Sequence, residues 1–382
     1  MEPRRLLIIT SKWPGKTDSS DGGNATVREL IDILNGQYSI DILYFGKHAE
    51  SELREGVHEV FCCEVDFDHY ETYSAADHSK FIIRIKQSNI SAEIIRNYAE
   101  SYERIIMIHN MFLLGIDPSN EKLLKKIILF PMFTGEDYRL SGENVPESYI
   151  AEEKQLMCKV KAVVAPSYRE KTTLTEVYGI RRDLIHIIHR CVDRFPYKEH
   201  SITSDRILIV YIASVRKQKA HTDAVHLLEK LRRLQINARL KCIGAIQDQE
   251  IYEYCLKLAE KLDMSAYVSF TGNLEYAELS NYLGKADFNI SVSQWETFGR
   301  GIFEGLAAGL PTVVLDRVES FGDITTTATS PLRCKDTDEM AACICGMMKD
   351  PELYSMESRK GQWLRESLST ITIKNQLCKV LG

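Results

Sequence analysis

Ser293-Gln294-Trp295-Glu296-Thr297-Phe298-Gly299-Arg300-Gly301-Ile302-Phe303-Glu304-Gly305-Leu306-Ala307-Ala308-Gly309-Leu310-Pro311-Thr312-Val313-Val314 is the stretch whose reading decides the fold. Just before it, residues 286–292 alternate as a short buried strand does, and Thr312 to Leu315 predicts another. The spacing between them predicts a helix, its first turn set off by Phe298-Gly299, with Ile302, Phe303 and Leu306 as packing residues. Strand, helix, strand is the unit of a parallel sheet. Glu296 at the end of the strand-to-helix loop and Glu304 about two turns into the helix then both face the crevice at the sheet's carboxyl edge. Glycines there let backbone N–H groups reach an anion, and a helix N-terminus favours phosphate. An isolated pair of glutamates on such a unit reads as solvated surface. The spacing, the glycines and the closing Gly309-Leu310-Pro311 together argue for a site.

This stretch resembles the signature of the retaining, nucleotide-sugar-dependent glycosyltransferases with two Rossmann-like domains, the type-B fold in its glycogen-synthase-like branch. The hallmark is a glutamate pair separated by seven residues, then a small-residue helix and Gly-x-Pro, as Glu296, Glu304 and Gly309-Leu310-Pro311 provide. The resemblance implies an α/β fold of two Rossmann-like parallel-sheet domains facing a central cleft. It is specific in the second half of the chain and moderate in the first.

With 382 residues the chain is long enough for two domains, each with its own core. A formal net charge of -6 argues against bulk nucleic-acid binding. Ten cysteines are spread without paired CxxC motifs, so neither a zinc site nor a disulfide framework is indicated, and reduced thiols are expected. The apolar run after Met1-Glu2-Pro3-Arg4-Arg5 is too short for a signal peptide or a membrane span. The expected location is therefore cytoplasmic, with peripheral contact on the cytosolic face of a membrane kept open.

Leu6 to Ile9 reads as the first buried strand. A polar loop and Gly22-Gly23 follow, then a helix from Asn24 to Leu34 on the period of Val27, Leu30, Ile31 and Leu34. This is not the dinucleotide Gly-x-Gly-x-x-Gly motif nor a P-loop. Two glycines alone are turn residues; the resemblance implies that they approach the donor phosphate or the acceptor. Lys80, Arg84, Lys86 and Arg96 on the helix at 81–98 suggest a solvated basic face, with an acidic acceptor or lipid headgroup as the sharper reading. His109 ends the strand at 105–108, where ligands of open parallel sheets collect, and the resemblance implies a contact to the transferred sugar. Glu136 and Asp137, after the strand at 127–130, are weaker acceptor-side candidates.

In the second half, Arg206 to Tyr211 is a strand leading to Arg216, Lys217, Lys219 and a helix from Thr222. Three cations in a loop read first as solvated. The resemblance implies that Arg216 and Lys219 grip the donor diphosphate, although a glycine before the arginine is missing and His221 holds the family's more usual lysine position. Cations suit the task because charge on the leaving diphosphate rises during the chemical step. Gly272 lies in a loop expected beside the nucleotide base. Glu304 is expected on the ribose hydroxyls, and Glu296 with the backbone of Phe298, Gly299 and Arg300 on the sugar.

The reaction implied is transfer of a sugar from a nucleoside-diphosphate sugar, UDP-sugar favoured, to an acceptor hydroxyl with retention. In this front-face chemistry the leaving phosphate accepts the acceptor's proton. No metal or resident cofactor is expected, since cationic side chains neutralise the charge and no carboxylate cluster marks a magnesium site. The acceptor stays open among glycan, small molecule, peptide and lipid-linked intermediate, as does the oligomeric state. The alternatives are an epimerase or phosphorylase on the same fold, and a catalytically silent nucleotide-sugar-binding protein that stabilises an active partner. The expected division is 1–200 as the acceptor-side domain, 201–361 as the nucleotide-sugar domain, and 362–382 as a C-terminal helix returning to the first.

Overall fold

The computed structural model describes residues 4–11, 13, 22–46, 53–64, 79–202, 206–318, 324–326 and 328–382. They form two compact units. The first takes the strand at the amino end, Gly23–Ile188 and Lys374–Gly382; the second takes His189–Ile373.

The first unit is a seven-stranded sheet built from β1 (Arg4–Thr10), β2 (Tyr38–Gly46), β3 (Glu59–Glu64), β4 (Arg104–Ile108), β5 (Ile127–Phe130), β6 (Ala162–Ala165) and β7 (Ile185–Ile187). Its order is β3-β2-β1-β4-β5-β6-β7, with every pairing parallel. Leu6 to Ile9, Ile105 to Ile108 and Ile127 to Phe130 are buried, as continuous apolar strands covered on both faces must be. The second unit repeats the plan with β8 (Arg206–Ile212), β9 (Asn237–Ile243), β10 (Val268–Phe270), β11 (Phe288–Ser291), β12 (Thr312–Leu315) and β13 (Leu332–Cys334). The order is β10-β9-β8-β11-β12-β13, again parallel throughout. In each unit the order reverses beside the first strand, between β1 and β4 and between β8 and β11. Such a switch point opens a crevice beyond the carboxyl ends of those strands.

Each unit has its own core. Ile105, Leu129, Val163 and Tyr149 belong to the first, and Ile209, Leu240, Phe288 and Ile344 to the second. A separate cluster seats the helix Arg300–Ala307 through Ile302, Phe303 and Leu306 against Leu364 and Leu368. Gly301 permits that helix to lie on β8, because a Cβ there would stand 2.3 Å from the Ile212 carbonyl oxygen.

Several local expectations change. The helix expected from Asn24 begins at Gly22, so the glycine pair occupies its first turn rather than the loop before it. Arg84 is buried, its guanidinium over the Tyr138 ring at 5.0 Å, and does not join a solvated basic face. On the helix Gln249–Lys261 the helical spacing of Ile251, Tyr254, Leu258 and Leu262 predicts one packed side, whereas the buried residues are Cys255 and Ala259 and Tyr254 is exposed. Asp350-Pro351, which as a sequence predicts only the end of a helix at 339–348, also starts one: Asp350 caps the helix Pro351–Ser367, accepting from the N–H groups of Glu352 and Leu353. Trp363 on that helix is exposed, and its neighbour Leu364 is buried within the second unit. Return to the first unit begins only at Lys374, and the second unit opens at His189 because Val192 N–H bonds the Leu368 carbonyl.

Candidate active site

In the second unit the parallel strands place the residues after β8, β9, β10 and β11 on one sheet edge. The loop after β8 is a single 3-10 turn, Lys217–Lys219, followed by Ala220 in the left-handed region at φ 46. That turn is tied to the loop after β11 by two direct bonds, and Tyr211 of β8 bridges the same two segments with two more. Gln294 N–H donates to the Gln218 carbonyl at 2.8 Å, and Gln218 Nε2 donates to the Trp295 carbonyl at 2.6 Å. The Tyr211 hydroxyl donates to the Lys219 carbonyl at 2.6 Å and meets Ser293 Oγ at 3.0 Å.

The result is a buried ion pair between residues 77 positions apart: Lys219 Nζ donates to Glu296 Oε1 at 2.6 Å. Burial lowers the Lys219 pKa and the nearby Arg216 charge lowers it further, while Glu296 acts the other way. Arg216 therefore stands close enough for its charge to be felt at Lys219. Lys219 is the cation of this loop that Glu296 holds. His221, the competing position, is fully buried between the Tyr211 and Phe270 rings, and burial pushes its imidazole down to about 3. It is a neutral core residue.

Beyond Glu296 the chain turns at Phe298-Gly299. The Phe298 ring is buried against Phe303 at 5.0 Å, which leaves its backbone to a ligand. Gly299 caps the helix Arg300–Ala307 at φ 87, a left-handed conformation costly for any residue with a Cβ, and no side chain caps the first turn. Its amide N–H groups and dipole make that terminus a place for negative charge. Glu304 is buried about one turn into the helix rather than two, with Arg300 Nη1 3.7 Å from its Oε1. Gly272, after β10, sits at φ 71 with open space where a Cβ would point. Glu296, Phe298, Gly299, Arg300, Glu304, Arg216, Lys219 and Gly272 thus share the carboxyl side of one sheet.

Sequence reading missed the residues that hold this arrangement. Asn289 is fully buried in β11, and its Nδ2 donates to the Ile302 carbonyl at 3.1 Å, fastening the signature helix to the strand. Arg317 Nε donates to the Ser293 carbonyl at 3.1 Å, and its Nη2 pairs with Asp223 at 2.8 Å. The available signal was the run Asn289, Ser291, Ser293: polar residues on alternate positions of a strand whose neighbours are apolar. All three are buried.

Gly23 and His109 belong to the first unit, His109 directly after β4, while Gly22 is grouped with the second. His109 has φ 92, a conformation costing roughly 1–3 kcal/mol unless its surroundings enforce it. Its N–H donates to the Phe130 carbonyl at 2.8 Å, and its Nδ1 accepts from Met111 N–H at 3.1 Å. A neutral ring with Nδ1 as acceptor carries its proton on Nε2. Asp137, an acceptor-side candidate, is instead a buried helix cap that accepts from Thr134 N–H at 2.8 Å. Glu136 forms an ion pair with Arg139 at 3.8 Å. Among the described residues, Asp41, His58 and Glu59 are the group with metal-ligand spacing. They lie at the amino end of the first sheet, where Asp41 already accepts from Arg5 at 2.9 Å and the Tyr102 hydroxyl at 2.8 Å.

Two units of this topology define the GT-B fold, and known structures agree. Sucrose-phosphate synthase from Thermosynechococcus elongatus superposes with a TM-score of 0.80 at 15% identity, covering 99% of this chain and 98% of that one. Anabaena HepE, solved with UDP and glucose, gives 0.69 at 14% identity over 99% of each chain. Residues 194–362, which contain the whole second-unit site, match the sequence family glycosyl transferases group 1. Glycogen synthase of Mycobacterium tuberculosis is 24% identical over 213 residues, 55% of this chain and 50% of that protein. A Dictyostelium discoideum GDP-Man:Man(3)GlcNAc(2)-PP-Dol alpha-1,2-mannosyltransferase is 26% identical over 184 residues, 46% of this chain and 36% of that protein. The chain spans about half or less of the length of these curated relatives.

Proposed function

We propose that this protein is a retaining glycosyltransferase that moves a sugar from a nucleoside-diphosphate sugar to an acceptor hydroxyl without a metal ion. The observation that carries the reading is the buried Lys219–Glu296 pair, set beside the Gly299-capped helix that also bears Glu304. Lys219, Arg216 and the helix amides offer positive charge where the diphosphate leaves. Glu304 is suited to accept from two ribose hydroxyls. Glu296 orients Lys219 and, with the backbone at Phe298 to Arg300, the sugar. The departing phosphate takes the acceptor's proton, so no side chain is assigned as general base. Uridine is the favoured base, a choice supported by the UDP and glucose in the Anabaena structure.

Acceptor recognition is assigned to the first unit, and His109, which presents Nε2–H at a strand end, to a contact with the transferred sugar. We place the reaction in the cytoplasm, with peripheral contact to a membrane for a lipid-linked acceptor; among the described residues no helix is long and apolar enough to cross one. The test is a mass-resolved screen of UDP-, GDP- and ADP-sugars for hydrolysis and acceptor labelling, with and without chelator. Turnover that survives chelation is the expected result. Turnover that returns only with magnesium or manganese overturns the metal-free reading. Tight donor binding with no turnover favours a silent binding protein, a reading to which the short Arg216–Lys219 spacing also lends itself.

A further inference from the structure

The first unit buries five carboxyl groups that the reaction above does not use, Glu29, Asp41, Asp137, Glu153 and Glu170, of which the last three are set among the helices that follow β5 and β6. Asp137 caps its own helix, and Glu170 lies 4.0 Å from Arg169. Glu153 differs, because its carboxylate joins three separate segments. It projects from the helix Glu147–Met157 and accepts from the Asn110 side-chain amide through Oε1. Through Oε2 it accepts from Gly135 N–H at 2.9 Å and from the Tyr178 hydroxyl at 2.8 Å. Asn110 directly follows His109, and Gly135 ends the loop after β5. One buried side chain thus fastens two of the loops that leave the carboxyl edge of the sheet, including the turn that holds His109 at its costly φ.

We propose that Glu153 is a positioning residue for His109: acting through Asn110, it fixes the turn that keeps His109 Nδ1 on the Met111 amide and aims Nε2–H. The claim concerns placement and stands apart from catalysis. Its effect on turnover rests on the function proposed above. All three of Glu153's partners donate, so an ionised carboxylate satisfies them. The charged and titratable groups facing it are Arg84 from the helix Ser79–Ala99, Asp137 from Gly135–Leu140, Tyr149 from its own helix, and Tyr178. Burial dominates among these influences and pushes the Glu153 carboxyl up to about 8.

The clamp needs hydrogen-bond geometry more than charge, which makes substitution informative. In Glu153→Gln the new Oε1 accepts from Gly135 and Tyr178 while the new amide donates to Asn110 Oδ1. That oxygen is buried with no partner among the described residues, so a flip of the Asn110 amide meets the need. Glu153→Ala removes the clamp, and Asn110→Ala removes only the link to His109.

The primary readout is the imidazole nitrogen NMR of His109, assigned with His109→Gln, in the full chain without substrate. The wild type and Glu153→Gln are expected to show one fixed tautomer with the proton on Nε2. Asn110→Ala and Glu153→Ala are expected to show averaging between tautomers. The second readout is UDP-glucose turnover beside UDP affinity by calorimetry. Asn110→Ala is expected to lose about tenfold or more in kcat with UDP affinity held within about twofold. Glu153→Gln should keep kcat within about threefold of the wild type, with any step near pH 8 in its kcat profile gone. If Glu153→Ala does not fold, Asn110→Ala carries the test alone. A His109 signal unchanged in Asn110→Ala overturns the proposal. A wild type inert toward UDP-, GDP- and ADP-sugars alike, with the tautomer change intact, overturns the function and leaves the positioning standing.

Discussion

The carboxyl edges of the two sheets share a strand order and differ in how they treat charge. In the second unit a lysine and a glutamate from distant loops meet at 2.6 Å, and both lie beside a helix N-terminus. In the first, carboxyls are sunk behind the edge, where backbone N–H groups and hydroxyls hold them, and burial pushes Asp137, Glu153 and Glu170 toward neutrality. The same topology can therefore present charge to a ligand or spend it on fixing loops. A buried ion pair is costly to desolvate and adds little net stability, so stability alone does not account for the Lys219–Glu296 pair. A buried carboxyl ringed by donors is explained by structure alone unless it steers something at the edge.

The sharpest way to break this contrast is Lys219→Ala. Under the proposed function it removes positive charge from the leaving diphosphate, and in any case it strands Glu296. Steady-state kinetics should show kcat falling about 10²–10³-fold, the loss typical of one transition-state electrostatic partner. A drop of less than about threefold would leave the two edges functionally alike.

The next test uses pH. Glu153 has its folded pKa raised to about 8 from the 4.5 of an ordinary glutamate. Folding thus favours the protonated form. The stability it contributes is complete below about pH 4.5, falls as pH rises, and is gone above about 8, a change on the order of a few kcal/mol. Denaturant unfolding of Glu153→Gln should lack that slope between pH 5 and 8. An identical slope in both proteins would assign the effect to other groups.

Glu304→Gln comes third. It keeps size and some bonding but removes the charged acceptor, and calorimetry should find donor binding weaker by about 1.5–3 kcal/mol. Glu296→Gln should lower kcat more than affinity, which would sharpen the division between the two glutamates. Equal loss of binding in both would erase it. The smallest expected effect is Gly299→Ala, about 1–2 kcal/mol of stability from a Cβ at φ 87. Thermal unfolding checks it, and an unchanged Tm would deny that the cap is held in the left-handed region.

The second-unit site was legible because most of it is local. Glu296, Gly299 and Glu304 fall within nine consecutive residues, so one loop, its glycine cap and the first turns of one helix relate them. Arg216 and Lys219 needed the resemblance, and the choice of Lys219 over His221 needed burial, which no pattern around 216–221 reports. Both parallel sheets followed from continuous apolar strands alternating with helices. Glu153 was out of reach. Its meaning depends on Asn110, Gly135 and Tyr178, three donors from three segments, and on a helix where a glutamate reads as ordinary surface. The Gly22-Gly23 turn failed for a different reason: glycine marks a loop and the first turn of a helix equally well.

Arg104 Nε donates to the Leu381 carbonyl at 2.9 Å, and Cys378 Sγ donates to Gln37 at 2.9 Å. Residues from 374 onward complete the first unit, yet they follow the whole of His189–Ile373 in the chain. During translation the first unit therefore leaves the ribosome without its last helical segment. At ordinary elongation rates that gap lasts on the order of 10–40 s. The seat for the segment stays open meanwhile, so the nascent chain offers chaperones a surface that the finished protein covers.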